Sequence, residues 1–257
     1  VWLENIDAAT SNWVGSVIET NTRPIAVADF DDDGDLDVAS YRSATLGERI
    51  FWHENNDGAG GSWTTRVVDS NLLAGAVVLQ ADASDYDRDG APDLVVAFQN
   101  AGHPVYRYVK NGASWTRHIV FTNNSFRTGD LDRDGDPDLL SAKPPRVSWY
   151  ENRGSAMLSN WPEVVIATDR VAGTIFCPFD PDSDGDLDVA VGASPAGWYV
   201  NDGTGTAWTF QAQSALQTSF EEMRALDFDS DGDEDLLLDD VWFDNPGRTA
   251  GPWREHD

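Results

Sequence analysis

Asp29-Phe30-Asp31-Asp32-Asp33-Gly34-Asp35-Leu36-Asp37 places carboxylates at its first, third, fifth and ninth positions around one glycine. The pattern Asp-x-Asp-x-Asp-Gly-x-x-Asp returns as Asp85-Tyr86-Asp87-Arg88-Asp89-Gly90-Ala91-Pro92-Asp93 and as Asp130-Leu131-Asp132-Arg133-Asp134-Gly135-Asp136-Pro137-Asp138. Two further copies are Asp180-Pro181-Asp182-Ser183-Asp184-Gly185-Asp186-Leu187-Asp188 and Asp227-Phe228-Asp229-Ser230-Asp231-Gly232-Asp233-Glu234-Asp235. Starts at 29, 85, 130, 180 and 227 lie 56, 45, 50 and 47 residues apart, the scatter expected when only connecting loops vary. A period near fifty residues is a structural repeat.

A second pattern lies between the acidic loops, an aromatic three residues ahead of an asparagine: Trp2/Asn5, Trp52/Asn55, Tyr108/Asn111, Trp149/Asn152, Trp198/Asn201 and Trp242/Asn245. A further tryptophan follows each, at Trp13, Trp63, Trp115, Trp161, Trp208 and Trp253, which accounts for all eleven. An aromatic fixed at one repeat position is read first as packing between neighbouring units and only second as a sugar-stacking platform.

Short β-branched or apolar runs flank each loop, Ile25-Ala26-Val27-Ala28 before the first and Leu36-Asp37-Val38-Ala39 after it. Ile50 to Asn55 and Trp63 to Val68 supply two more strands, and no window sustains a helical period. Four short strands per fifty residues predict an all-β fold, a β-propeller of four-stranded blades, as one domain over 1–257. The blades are expected near 25–69, 77–120, 125–167, 173–214 and 219–257, with 1–20 left as an N-terminal half blade. An incomplete blade has an open strand edge, so self-association through it is one expectation.

Three aspartates at alternate positions, a glycine that permits a sharp turn and a fourth aspartate make a compact set of hard oxygen donors. Such donors suit Ca²⁺. Mg²⁺ demands a tighter octahedron, and zinc ordinarily brings His or Cys, which these loops lack. An EF-hand also opens this way but needs a glutamate at position twelve, where this chain has Ser40, Val96, Ser141, Val191 and Leu238. The expected ligands are therefore the carboxylates at positions one, three, five and nine, joined by the position-seven carbonyl of Asp35, Ala91, Asp136, Asp186 or Asp233. About five ions are expected, one per loop.

The acidic loops together with the Trp-Tyr-Glu-Asn strand at 149–152 resemble the FG-GAP/VCBS-type repeats of bacterial propellers, with related calcium loops in integrin α-subunits. The resemblance implies Ca²⁺ in the hairpin between the first two strands of each blade. It is weak on function, since such propellers serve as adhesins, lectin-like modules, enzyme accessory domains and scaffolds. The second loop departs from the others with Ala91-Pro92.

Composition narrows the partners. With 45 acidic against 17 basic side chains the formal charge is −28, and five Ca²⁺ would bring it only to about −18, so nucleic acid and anionic membranes are poor partners. No apolar run reaches a membrane span and no signal-peptide pattern is visible, so a processed form or an excised piece is expected. Cys177, the single cysteine, reads as a small buried hydrophobe. The histidines His53, His103, His118 and His256 are scattered, three of them on or beside the outer strands, where an ordinary exposed side chain is expected over a catalytic one, and no nucleophile motif stands out. These features predict a non-catalytic, calcium-stabilised module for a glycan or protein ligand, outside the cell or on its surface, where calcium is millimolar. The alternatives are a structural subunit joined through its half blade and the propeller part of a secreted carbohydrate-active enzyme. Contacts are expected in the segments that break the repeat, 41–49, 99–104, 143–146 and 193–197.

Overall fold

The computed structural model describes residues 2–7, 12–43, 47–73, 75–99, 102–123, 125–154, 159–170, 175–192, 195–213, 222–247 and 253–256. Of the segments expected to make contacts, 44–46, 100–101 and 193–194 lie outside the described residues, as do the side chains of Trp2, Asn5 and Trp13. Strands dominate, no α-helix occurs among the described residues, and no helix there is long and apolar enough to cross a membrane.

The chain divides into two compact units, the first comprising Val1–Ser125 with Gly154–Asn160 and the second Phe126–Arg153 with Trp161–Asp257. In the first unit, β1 (Trp2–Asp7) and β2 (Asn12–Ser16) pair as a two-stranded sheet. Then come β3 (Arg23–Ala28), β4 (Asp37–Arg42), β5 (Arg49–Asn55) and β6 (Trp63–Asp69), followed by β7 (Val78–Ser84), β8 (Asp93–Phe98), β9 (Pro104–Asn111) and β10 (Ser114–Thr122). The second unit holds β11 (Arg127–Gly129), β12 (Asp138–Lys143), β13 (Arg146–Tyr150) and β14 (Glu163–Ala167). It continues with β15 (Phe176–Phe179), β16 (Asp188–Val191), β17 (Gly197–Asn201) and β18 (Trp208–Ala212), and ends with β19 (Met223–Leu226), β20 (Asp235–Leu238), β21 (Val241–Asp244) and β22 (Arg254–His256). Each run of four is an antiparallel meander in chain order, so the expected five four-stranded blades and the leading half blade are all present.

Packing explains the composition of the strands. The second strand of each four-stranded sheet is buried almost throughout, β8 and β16 at every residue, and these strands read as continuous apolar runs: Leu94-Val95-Val96-Ala97-Phe98 and Val189-Ala190-Val191. The fourth strand of the blade alternates instead, as β6 does. Within the first unit, Ala39, Tyr41, Ile50 and Trp52 from β3–β6 pack on Leu94, Val96, Phe98 and Tyr108 from β7–β10. Within the second, Leu140, Val147 and Trp149 meet Phe176, Val189 and Tyr199, while Phe179, Ala190 and Trp198 meet Met223, Leu236 and Phe243. Trp149 is 1% exposed, and truncating so large a core residue ordinarily costs about 3–5 kcal/mol. Cys177 lies in the last of these cores, where burial pushes its thiol up to about 11 and leaves it unreactive at neutral pH.

Candidate metal centres in the acidic loops

Each acidic stretch forms the connection between the first and second strands of its sheet, and its ninth residue opens the second strand: Asp37, Asp93, Asp138, Asp188 and Asp235. The five loops share one backbone course. Position four is left-handed in all, at Asp32 (φ 60), Arg88 (56), Arg133 (62), Ser183 (55) and Ser230 (66), and the glycine at position six has φ of 94, 94, 87, 88 and 99. Only glycine adopts the latter without strain, which is why it recurs in every copy.

The first and fifth carboxylates hold that course. Asp29 accepts from the backbone N–H groups of Asp33 at 3.2 Å and Gly34 at 2.8 Å, and Asp180 does the same for Asp184 at 3.1 Å and Gly185 at 2.9 Å. Asp33, Asp89, Asp134, Asp184 and Asp231 each accept from the N–H two residues on, at 2.8–3.0 Å. The turn therefore aims its own amides at the carboxylates it gathers.

The ninth residue does most for the fold. Asp138, fully buried, accepts Leu131 N–H at 2.9 Å on one oxygen and Asn152 N–H at 2.8 Å on the other, tying loop, second strand and third strand together. Asp37 receives Phe30 N–H, Asn55 N–H and the Trp52 indole, and Asp235 receives Phe228 and Asn245 N–H. Burial drives Asp138 up to about 8, Asp188 to about 7 and Asp93 to about 6, because the charged form loses its hydration.

The asparagine of the second pattern completes the link. Its amide donates to the position-eight carbonyl, Asn55 to Leu36, Asn152 to Pro137, Asn201 to Leu187 and Asn245 to Glu234. Asn201 and Asn245 also reach the preceding loop, at Leu131 O and Pro181 O, both at 2.8 Å. The aromatics partner this scaffold: Trp52, Trp149, Trp161 and Trp198 are buried, and the Trp149 indole donates to Gly205 O at 3.0 Å. Packing is thus the role of these four, and none is a solvent-facing platform.

In three loops the closest carboxylate triads are Asp29/Asp31/Asp33, Asp85/Asp87/Asp89 and Asp180/Asp182/Asp184; in two they are Asp130/Asp132/Asp138 and Asp227/Asp229/Asp235, with one oxygen from each residue within 4.8 Å of the others. The position-seven side chains stand outside these triads. Asp35, Asp186 and Asp233 lie against the turn between the third and fourth strands, close enough that a methyl group at Gly58, Gly203 or Gly247 would collide with them.

The residues fit a hard cation on two grounds. Every donor is oxygen, and Asp31 Oδ1 and Asp130 Oδ1 are buried with no protein donor facing them. A divalent ion in these loops would satisfy such atoms and offset the mutual repulsion of the triad.

The second blade corrects one alignment. Val38 of β4 pairs with His53 as Leu94 of β8 pairs with Tyr108, and Lys110 N–H meets Asp93 at 3.3 Å where Asn55 N–H meets Asp37. The structural counterparts of Trp52 and Asn55 are therefore Arg107 and Lys110, one residue ahead of the Tyr108/Asn111 pair.

The histidines also differ from expectation. His53 is buried, and His103, His118 and His256 are half-buried. His53 bonds Ser40 Oγ at 2.6 Å and Thr65 Oγ1 at 2.9 Å, and burial lowers its pKa. Together with Ile18, Glu19 and Thr22 this pair lines a cleft of about 190 Å³. Ser40 and His53 have the spacing of a nucleophile and its base, but the far nitrogen meets a threonine instead of a carboxylate, and Ser40 is 2% exposed. This is a buried hydrogen-bonded chain.

Four-stranded meanders that carry one acidic first hairpin each define a blade-repeat protein. Residues 85–141 and 130–191 each match the FG-GAP-like repeat, so the chain carries FG-GAP-like repeats. No curated protein matches the sequence significantly. Among solved structures, an Agrocybe aegerita lectin described as specifically recognising non-reducing terminal N-acetylglucosamine aligns over 93% of this chain and 67% of its own, at 13% identity and a TM-score of 0.65. That likeness is one of fold. The Vibrio cholerae biofilm matrix protein Bap1 aligns over 90% of this chain and 37% of its own at 17% identity, with a TM-score of 0.42, which is too low to carry an argument.

Proposed function

We propose that the acidic loops bind Ca²⁺ structurally and that the blades they brace form a non-catalytic binding module for a glycan or protein ligand. The observation that carries this reading is the recurrence of one loop geometry, with a carboxylate triad within 4.8 Å, in all five sheets. Asp29, Asp31, Asp33, Asp37 and their counterparts in the other loops would supply carboxylate oxygens, with the position-seven carbonyl as a further donor. The ion's chemistry here is charge compensation: it replaces hydration that the clustered carboxylates lose, and so fixes a turn that no disulfide braces.

A binding role asks for rigid loops on a fixed scaffold, which these sheets provide. A glycan is the ligand class to examine first, because a lectin shares the fold and half-buried aromatics such as Trp63, Trp208 and Trp242 remain partly open to solvent. Millimolar calcium favours an extracellular setting. The test is a glycan array probed with the calcium-loaded full chain, with and without chelator. We expect retention by one glycan class in calcium and its loss on chelation; glycan cleavage would overturn the non-catalytic reading, and silence on every glycan would leave a protein as the ligand.

A further inference from the structure

Among the described residues, the second loop is the one with a buried guanidinium on its ninth-position aspartate; the half-exposed Arg133 reaches Asp184 and Asp186 of the fourth loop only at 3.5 and 3.8 Å. In the first, third, fourth and fifth sheets the residues facing the ninth-position aspartate are Trp52/Asn55, Trp149/Asn152, Trp198/Asn201 and Trp242/Asn245, all neutral, whereas in the second they are Arg107 and Lys110. The Arg107 side chain is fully buried. Its Nε donates to Asp93 Oδ2 at 2.9 Å, and its Nη2 bridges that same oxygen and Asp87 Oδ2, the latter at 3.0 Å. Two of the four carboxylates expected to ligate calcium are therefore engaged by one guanidinium. Lys110 adds its backbone N–H to Asp93, while its ammonium lies 4.9 Å over the Trp52 ring.

The rest of the loop has changed in the same direction. From the first to the fifth, the nine-residue loops carry formal charges of −6, −3, −4, −5 and −6, so the second is the least acidic, and Arg107 brings it to −2. Its seventh position is Ala91, and the turn opposite has nothing near Gly112, where the first, fourth and fifth hairpins seat an aspartate against Gly58, Gly203 and Gly247.

We propose that Arg107 is the resident cation of the second loop, so that the chain binds four Ca²⁺ tightly and its second hairpin stands without metal. This rests on the calcium reading above. An ion placed among Asp85, Asp87 and Asp89 would find Asp87 Oδ1 buried and without a partner, but would face, across that one carboxylate, the guanidinium held by Asp87 Oδ2, a repulsion poorly screened at a buried site. The exchange of Trp for Arg at this position puts one side-chain cation, Arg107, where a dissolved ion would otherwise sit.

Equilibrium dialysis of the full chain against calcium tests this by counting ions. We expect four per chain, still four in Asp87→Asn and three in Asp132→Asn, in whose loop the ninth-position aspartate faces the neutral Trp149 and Asn152. The double variant Arg107→Trp/Lys110→Asn is expected to take a fifth ion. Should that variant fail to fold, the Asp87→Asn and Asp132→Asn pair decides. Five ions of affinity within about tenfold of one another in the native chain, or loss of one ion in Asp87→Asn, would overturn the proposal and leave the calcium reading intact. No bound ion at all would overturn both.

Discussion

Removing calcium is expected to lower the melting temperature by at least about 20 °C. A ligand at a hundred times its dissociation constant stabilises the folded state by about 2.7 kcal/mol per site, so four such sites contribute about 11 kcal/mol. That matches the whole stability of an ordinary domain, about 5–15 kcal/mol, and in a chain of this size each kilocalorie moves the midpoint by about 2–4 °C. The cause is local. Stripped of the ion, carboxylates such as Asp29, Asp31 and Asp33 face one another within 4.8 Å, and buried oxygens such as Asp31 Oδ1 and Asp130 Oδ1 have no donor. A melt recorded before and after chelation, with metal loss verified by elemental analysis, checks this; a shift under about 3 °C would remove the structural role from the ion. Magnesium is expected to restore less than calcium, because it resists dehydration and demands a tighter octahedron.

The second large effect is expected at Asp138. Replacing it with alanine leaves two buried N–H donors, of Leu131 and Asn152, without their acceptors. Each orphaned donor ordinarily costs about 1–3 kcal/mol, so a loss of about 2–6 kcal/mol is expected. Because these bonds lie within the protein, the loss should appear in saturating calcium and not only in its absence. Asp138→Asn keeps an acceptor oxygen and is expected to lose less. Denaturant unfolding of both variants gives the comparison, and a loss below about 0.5 kcal/mol in the alanine variant would mean that the ninth aspartate serves the metal alone.

The repeat was legible because its chemistry is stringent. A glycine forced to φ near 90° and carboxylates at alternate positions leave a literal trace, so five acidic loops and their flanking strands could be placed from residue types. Position four is left-handed in every loop and left no trace, since Asp32, Arg88, Arg133, Ser183 and Ser230 share that conformation without sharing a side chain. The role of asparagine was hidden for a different reason. Asn201 and Asn245 donate to carbonyls 70 and 64 residues away, and no local pattern encodes a contact between successive hairpins.

The second blade shows how a pattern can mislead. Tyr108 and Asn111 have the spacing of the aromatic and asparagine pair, yet β8–β9 pairing puts Arg107 and Lys110 in those places. Only the register distinguishes them, and a shift of one residue turns a strand's side chains to the opposite face. Nothing in the residue types around His53 marks it as buried, yet its strand is buried at Ile50, Phe51 and Trp52 as well. The acidic loops are legible because their chemistry repeats; the segments that break the repeat carry no common residue pattern, so any ligand contact proposed there leaves no such trace.

The account stands most directly on where calcium sits. Crystals of the full chain grown in calcium, with diffraction recorded at a wavelength where calcium scatters anomalously, would locate it. The account predicts peaks about 2.3–2.6 Å from aspartate oxygens in the first, third, fourth and fifth loops, and none beside Arg107. Occupied calcium positions elsewhere, with the five acidic loops empty, would contradict it.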